Sequence, residues 1–395
     1  MAWTECCPMD NRLIFIAACL RAEEPMSRLC QRHGISRKTG YKWLGRYQQA
    51  GVSGLATLGS ARHTVGHAVD PATAADILLF RDAHETWGPR KLLAELEKLH
   101  PETDWPAAST IGDLLQRNER VKPRKRRPGE PRATPALTDP AAPNAVWSAD
   151  FKGWFRTGDG VRCEPLTVCD GFSRYLLACQ TVAQVTVGQV QPILTRLFQT
   201  HGLPQRLRTD NGSPFARRDG LGGLTQLSVW LLKLDVWPER ITPGCPQQNG
   251  RHERMHRVLR EDAADPPAAT AALQQHRLDA WRLEYNTVRP HEALGMRYPS
   301  ELYTVSDRAY PAKIEDWDYP ADHQVRRVIG DGYIKWRDGT VYLTGALRGE
   351  TVGVAQRDDG DWAVRFRGFD LAVLPDDGGE LVRCGLSRTA LHTVT

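Results

Sequence analysis

The spacing of apolar residues predicts a helical first third of the chain. Between residues 26 and 50 it predicts a helix, a turn at Gly34 and a second helix that Ser36 caps. The apolar residues of that second helix recur at the i, i+3, i+4 spacing of one buried face: Trp43, Leu44 and Tyr47. Three further helices follow, with predicted starts at Asp70, Pro89 and Ser109.

From Val146 onward the pattern changes to short apolar runs separated by turns. These runs predict strands over residues 146–152, 161–169, 175–181, 205–210 and 237–242, and helices over 186–200 and 225–234. Three successive strands followed by alternating helices and strands predict a mixed α/β sheet covered by helices. Short alternating strands over residues 333–374, broken by turns that contain glycine, predict a small β-barrel.

The predicted fold class is therefore multidomain, with all-α modules first, an α/β core and an all-β C-terminal domain. The predicted segments are a helix-turn-helix domain (1–60), a second helical domain (68–120), a basic proline-rich linker (121–143), an α/β core (144–305) and a C-terminal β-barrel domain (306–395). A chain of 395 residues is long enough for several such domains.

Three features predict a cytoplasmic protein. The longest apolar run, from Leu13 to Leu20, is far shorter than the ~20 residues that span a bilayer. The N-terminus lacks the basic start of a signal peptide. Nine cysteines with no CxxC pair favour reduced thiols over a disulfide framework or a zinc knuckle.

The charge of the chain changes sign along its length. Residues 1–140 carry a net charge of +5 and residues 141–300 of +4, whereas residues 301–395 carry −4. The total of +5 is modest because the acidic tail cancels part of the basic front. This distribution predicts a DNA-facing front and a tail that is suited to protein contacts.

The second predicted helix carries a basic N-terminal end. Residues 26–50 contain six basic residues and no acidic one. The residues left exposed on its first turns are Arg37, Lys38, Thr39 and Lys42. The first residues of a helix-turn-helix recognition helix reach base edges in the major groove, so these four are candidate DNA contacts. A helical hairpin with a solvated basic face is the alternative.

The predicted linker begins with a second basic run. Among the eight residues 121–128, two are prolines, which disfavour a helix, and five are basic: Lys122, Arg124, Lys125, Arg126 and Arg127. Such a run binds phosphates without sequence preference, and a merely solvated linker is the alternative.

Three acidic residues fall where an α/β sheet places functional groups. Asp150 lies in mid-strand and, by the strand period of two, points away from the apolar face. Asp210 ends a strand before an Asn-Gly turn, and an aspartate that bonds its own turn is the alternative. Glu253 begins a helix opposite its apolar arc, with Arg257 and Arg260 nearby. This grouping suits a metal beside a phosphate, whereas solvated Glu–Arg pairing is the alternative.

The same helix contains the zinc metalloprotease pattern H-E-x-x-H. His252 and His256 are one turn apart and Glu253 stands between them. Arg254 lies inside the pattern, and no third zinc ligand is evident downstream. Zinc proteolysis is therefore kept as a minor alternative.

Taken together, the three acids and their flanking motifs resemble the DDE integrase core of bacterial insertion-sequence transposases, and most of all the insertion sequence 481 group. The motifs are Arg208-Thr-Asp-Asn-Gly-Ser-Pro-Phe215, Gln248-Asn-Gly-Arg-His-Glu-Arg254, Asp170-Gly-Phe-Ser-Arg-Tyr175 and Tyr285-Asn-Thr-Val-Arg-Pro-His-Glu-Ala-Leu294. One departure is the interval of 42 residues between Asp210 and Glu253, which exceeds the family's usual spacing. The extra length lies around residues 217–224.

The resemblance implies a ribonuclease H-like core in which Asp150, Asp210 and Glu253 are the catalytic metal ligands. It implies two Mg²⁺ or Mn²⁺ ions, which hard oxygen ligands suit. By resemblance, Asp150 bridges both ions while Asp210 and Glu253 hold one each. Asp170 is interpreted as a turn residue outside the triad, and the C-terminal barrel as SH3-like.

The resulting hypothesis is a transposase that acts on double-stranded DNA in the cytoplasm, at the nucleoid. It binds the terminal inverted repeats of its element, cleaves there by two-metal phosphodiester hydrolysis, and joins the 3′ ends to target DNA by transesterification. It is expected to work as a homo-oligomer. The alternative from another class is a DNA-binding regulator with a silent core, which the intact acids disfavour.

Overall fold

A computed structural model of the chain describes residues 8–56, 69–121, 137–217 and 221–388. Its contacts divide the chain into two compact units, residues 1–69 and residues 70–395. No helix within the described ranges is long and apolar enough to cross a membrane.

The first unit is a three-helix domain. Its helices are α1 (Pro8–Arg21), α2 (Met26–Arg32) and α3 (Arg37–Ala50), followed by a 3₁₀ turn (Gly51–Leu55). The Ser36 side chain accepts a hydrogen bond from the Thr39 amide, which confirms the predicted cap of α3. Trp43 is buried with Phe15, and Leu44 packs against the same core, as the helical spacing predicts.

Three helices open the second unit: α4 (Pro71–Ala83), α5 (Pro89–Leu99) and α6 (Ala108–Arg117). Asp70 caps α4 by accepting from the amides of Ala72 and Thr73, as predicted. The predicted cap Ser109 is wrong: α6 already begins at Ala108, and Ala107 occupies the cap position without a side-chain hydrogen bond. Pro106 disfavours helical geometry at the residue before it. The helix begins shortly after this proline, one residue ahead of Ser109.

The central part of the second unit is a mixed sheet with helices on both faces. Its strands are β1 (Val146–Phe151), β2 (Phe155–Arg156), β3 (Arg162–Asp170), β4 (Leu176–Val182), β5 (Arg206–Thr209) and β6 (Trp237–Arg240). Its helices are α7 (Val187–His201), α8 (Gln226–Lys233), α9 (Gly250–Leu259), α10 (Ala271–Thr287) and α11 (Pro299–Leu302). Among these strands only the two-residue β2 lacks a predicted counterpart, since it is too short to show an alternation. Helices α10 and α11 were not predicted from the sequence.

Strand β1 occupies the middle of this sheet. It pairs antiparallel with β3 on one side and parallel with β5 on the other. Strand β4 continues the sheet beyond β3, and β6 continues it beyond β5. One face of the sheet is covered by α7 and α8, and the other by α9 and α10.

The C-terminal part is a second sheet that shares its core with the first. It contains β7 (His323–Arg327), β10 (Thr351–Gln356), β11 (Trp362–Phe366), β12 (Phe369–Leu374) and β13 (Val382–Arg388), all antiparallel, and a hairpin of β8 (Tyr333–Trp336) and β9 (Gly339–Tyr342). Its apolar residues pack with Val229 and Leu232 of α8. Leu221 and Leu224 enter the same core, so the long interval between Asp210 and Glu253 is used to join the two sheets.

Candidate active site

Asp150 lies near the end of the central strand β1, on the face covered by α9. Trp147 and Ala149 belong to the core beneath α7 and α8, so the alternation predicted for this strand is confirmed. The Asp150 carboxylate accepts hydrogen bonds from the Phe151 amide at 2.8 Å and from the Asn249 side-chain amide at 2.8 Å. Burial first, and then the charges of Asp210 and Glu253, together raise the pKa of Asp150 to about 7.

Asp210 follows β5, the parallel neighbour of β1. Its Oδ1 accepts from the Gly212 amide at 3.1 Å, so it closes its own turn as one alternative predicted. This bond leaves Oδ2 without a hydrogen-bond partner among the described residues. The effect of its charge on Asp150 shows that the two carboxylates are close. The turn bond therefore orients Asp210 and is compatible with a ligand role.

Glu253 lies in the first turn of α9 and is exposed. The buried residues of the helix include Met255 and Leu259, and Glu253 is on the opposite side, as the helical periodicity predicts. Its charge also raises the pKa of Asp150. Asp210 and Glu253 thus both act on the charge of Asp150, although up to 103 positions, 150 to 253, separate the three acids in the sequence.

The donor types at this site fit a hard divalent cation, because all three side chains offer carboxylate oxygens. The negative charges of Asp210 and Glu253 repel a charged Asp150, and a bound cation would offset this repulsion. In the part of the chain that the structure describes, no three Asp, Glu, His or Cys side chains converge closely enough to hold a metal ion. The assignment of these acids as metal ligands therefore stays a prediction, supported by the oxygen chemistry of their side chains and by their effect on the charge of Asp150.

Asn249 is a site residue that the sequence reasoning treated only as part of a motif. It lies on the irregular turn before α9 and donates to Asp150 Oδ2. Its contact with β1 spans 99 positions of sequence. The one sequence signal was its place in the Asn-Gly pair ahead of Glu253, and that signal alone indicates a turn.

The H-E-x-x-H histidines face away from Glu253 into the protein. His252 Nδ1 contacts Ser148 Oγ at 3.0 Å, and Thr167 Oγ1 lies 2.6 Å from His252 Nε2 and 2.7 Å from His256 Nε2. Burial lowers the pKa of His252 to about 3 and that of His256 to about 2. With their nitrogens engaged on the β-sheet, the pair attaches α9 to β1 and β3, and a zinc protease site is not formed.

Asp170 is a buried turn residue, as interpreted from the sequence. Its carboxylate accepts from the amides of Asn144 and Ser173, each at 2.8 Å, and from the Ser173 hydroxyl at 2.6 Å. These bonds hold the turn between β3 and β4.

The predicted DNA contacts divide between described and undescribed residues. In the first unit Arg37, Lys38 and Lys42 are exposed at the start of α3, and Thr39 is half-buried against Ser36. In the second unit Arg257 is exposed on α9, and Arg260 is exposed at the start of the π-helical turn that follows it, Arg260–Ala264. The five basic residues of the predicted linker, Lys122, Arg124, Lys125, Arg126 and Arg127, lie outside the described residues.

Comparison with known families agrees with this architecture. Residues 140–246 and 234–299 each match an Integrase core domain, and residues 9–56 match a Homeodomain-like domain. The chain is thus similar to integrase cores over residues 140–299 and to homeodomain-like domains over residues 9–56.

The relatives of known sequence come from bacterial insertion elements. An uncharacterized 31.7 kDa protein of insertion element IS407 from Burkholderia multivorans is 32% identical over 184 residues, which are 46% of this chain and 63% of that protein. An uncharacterized 39.2 kDa protein of insertion element IS476 from Xanthomonas euvesicatoria is 26% identical over 69% of this chain and 76% of its own length. The resemblance to insertion-sequence proteins is confirmed, while the narrower insertion sequence 481 assignment stays a prediction.

Solved structures with a related outline are retroviral. The simian T-cell lymphotropic virus intasome in complex with PP2A regulatory subunit B56 gamma matches with a TM-score of 0.37 and 15% identity, over 80% of this chain and 98% of that one. The HTLV-2 integrase catalytic core with magnesium matches with a TM-score of 0.30 and 13% identity, over 42% of this chain and 99% of that one. With TM-scores below 0.5, the likeness is distant.

Proposed function

We propose that the protein is a DNA transposase that cuts DNA at the ends of its mobile element and joins the 3′ ends to target DNA. The observation that carries this proposal is the grouping of Asp150, Asp210 and Glu253 in one electrostatic neighbourhood of an integrase core. The three acids, the core and the basic recognition helix are the parts that such a reaction needs.

The site is proposed to use two Mg²⁺ or Mn²⁺ ions. Bound there, they supply an activated hydroxyl nucleophile and stabilise the leaving 3′-oxygen. Asp150, Asp210 and Glu253 would hold these ions. Asn249 would fix the orientation of Asp150 through its hydrogen bond. The stiff sheet carries two of these carboxylates, and the histidine contacts of α9 hold the third against it.

DNA is proposed to be recognised by the first unit and held by the second. Arg37, Lys38, Thr39 and Lys42 would contact the element end from α3. The basic linker residues and Arg257 and Arg260 would contact phosphates. The C-terminal sheet, proposed to be an SH3-like barrel, is acidic and better suited to contacts between protomers in an oligomer on DNA. The protein would act at the nucleoid.

The test uses purified protein and a labelled duplex that carries the inverted repeat flanking the gene. With Mg²⁺ or Mn²⁺ and a supercoiled target plasmid, we expect nicked repeat DNA and products in which its 3′ end is joined to the plasmid. Asp150→Asn is expected to bind the duplex as well as wild type and to give neither product. Wild-type protein that binds the repeat but leaves both DNAs intact would favour the alternative, a DNA-binding regulator.

A further inference from the structure

A small pocket adjoins Asp150 on the α9 face of the sheet. Its charged lining consists of Arg174, Arg208, Arg251 and one carboxylate, Asp170, and its polar lining includes Ser148 and Asn249. Its volume is about 40 Å³, and a single water needs about 10–15 Å³, so the pocket admits a group of the size of a phosphate but not a nucleobase. Asn249 connects the two places, since it lines the pocket and donates to Asp150.

Two guanidinium groups in this pocket form no ion pair with a carboxylate of the described residues. These are Arg174 and Arg251, whereas Arg208 is paired with Glu239 at 2.7 Å. Arg251 donates to the Gly171 carbonyl at 3.3 Å. Asp170, the acid next to Arg174 in space, is already engaged by Asn144 and Ser173.

The two arginines also repel each other. Burial lowers the pKa of Arg174, and the charge of Arg251 lowers it further. A half-buried cation beside another cation is costly without a counter-charge. Asp170 supplies one negative charge beside Arg174, and its oxygens already accept from Asn144 and Ser173. One carboxylate faces two guanidinium groups, so an external anion is the group that this arrangement is suited to accept.

We propose that Arg174 and Arg251 bind a backbone phosphate of the DNA strand, close to the bond that is cut. Arginine presents a planar fork of donors that matches two phosphate oxygens, which a lysine does not. Asn249 both lines the pocket and donates a hydrogen bond to Asp150. A phosphate bound in the pocket would therefore set the position of the DNA strand relative to the three acids. The inference rests on the proposed transposase function and adds a positioning site to it.

The test measures DNA binding by the full-length protein in Ca²⁺, with the inverted-repeat duplex, at several salt concentrations. Arg251→Gln and Arg174→Gln are each expected to weaken binding about ten-fold and to lower the slope of log affinity against log salt by about one. Arg196→Gln, which removes an exposed arginine from α7 on the opposite face of the sheet, is the matched control and should leave both values unchanged.

A second arm locates the phosphate. In a set of duplexes, each phosphate near the cut is replaced in turn by a neutral methylphosphonate. Wild-type protein should bind more weakly when one particular phosphate is replaced. Arg251→Gln should not be weakened further by the same replacement, because a double-mutant cycle reports the direct interaction between the arginine and that phosphate. Arg251 is exposed, so this variant keeps the test valid if Arg174→Gln does not fold.

The outcomes separate the two proposals. Wild-type protein that neither nicks nor joins the duplex in Mg²⁺ overturns the transposase function. An active wild type whose Arg251→Gln variant keeps the wild-type affinity, salt slope and response to every methylphosphonate overturns the phosphate site alone.

Discussion

Asp150 is a carboxylate that its surroundings hold close to neutrality. Its pKa of about 7 comes first from burial and then from the negative charge of Asp210, with a smaller effect of Glu253. Two hydrogen bonds, from Phe151 and Asn249, oppose this rise. An acid in this state gains a great deal from a divalent cation, because the cation removes the repulsion that burial strengthens.

The raised pKa makes a prediction about stability in the presence of a chelator. Because the folded-state pKa exceeds the ordinary value of 3.8, Asp150 favours folding most at low pH, and this contribution is lost as the pH rises through about 7. The stability advantage of Asp150→Asn over wild type should therefore grow by on the order of 2–3 kcal/mol between pH 5 and pH 8. Urea unfolding at both pH values measures it.

The control is Asp331→Asn, which makes the same chemical change at a side chain that is 91% exposed. Its difference from wild type should stay constant over the same pH range. A constant difference for Asp150→Asn as well would mean that the Asp150 carboxyl is not held near neutrality by its neighbours.

For individual residues, the sequence predicted the side of a strand or helix on which a side chain lies, but not the residues that it contacts. The strand period placed Asp150 opposite Trp147, and the helix period placed Glu253 opposite Met255, because both follow from local geometry. The contact of His252 and His256 with Thr167 crosses more than 80 positions and depends on how α9 packs on β3. The H-E-x-x-H pattern therefore matches a zinc site in the sequence, whereas in the fold both histidines contact the sheet.

Helix α3 is fixed in its domain by a glycine at the point where it crosses its neighbours. A Cβ atom at Gly40 would lie 2.5 Å from the Cys30 sulfur and 3.0 Å from the ring of Phe15, whereas one at Gly45 would meet nothing within 4 Å. The apolar spacing predicted the buried face of α3, but the closeness of this approach depends on tertiary packing and has no local signal.

Two substitutions in this one helix should therefore have opposite effects. Gly40→Ala forces α2 and α3 apart and should destabilise the domain by about 1–3 kcal/mol. Gly45→Ala removes backbone freedom without a clash and should stabilise it by about 0.5–1 kcal/mol. Hydrogen exchange of the α2 and α3 amides in the full-length protein reads the two changes directly. Equal protection in both variants would show that the crossing is not close.

The whole second unit depends on its C-terminal sheet. Leu224, Val229 and Leu232 of the central part share a core with that sheet, and Lys233 pairs with Glu350 at 2.7 Å. The charge distribution predicted that residues 301–395 form a separate acidic segment. It gave no sign that this segment shares a core with the central part. The interval of 42 residues that looked like an irregularity supplies part of this interface.

Truncation tests this dependence. A chain that ends after Asp316 should bind the dye ANS and aggregate, because it exposes the apolar side of α8. The fragment 70–395 keeps one compact unit intact and should unfold cooperatively, which makes it the control. A soluble, cooperative 1–316 chain would contradict the shared core.

The central claim is that Glu253, together with Asp150 and Asp210, forms the site at which DNA is cut. The most direct measurement is the single-turnover rate at which Glu253→Gln and Glu261→Gln nick the inverted-repeat duplex in Mg²⁺. Both glutamates are exposed, and they lie 8 positions apart in the sequence. We predict that Glu253→Gln loses about 10³-fold or more at unchanged DNA affinity, while Glu261→Gln stays within a few-fold of wild type. Equal rates for the two variants would contradict the account.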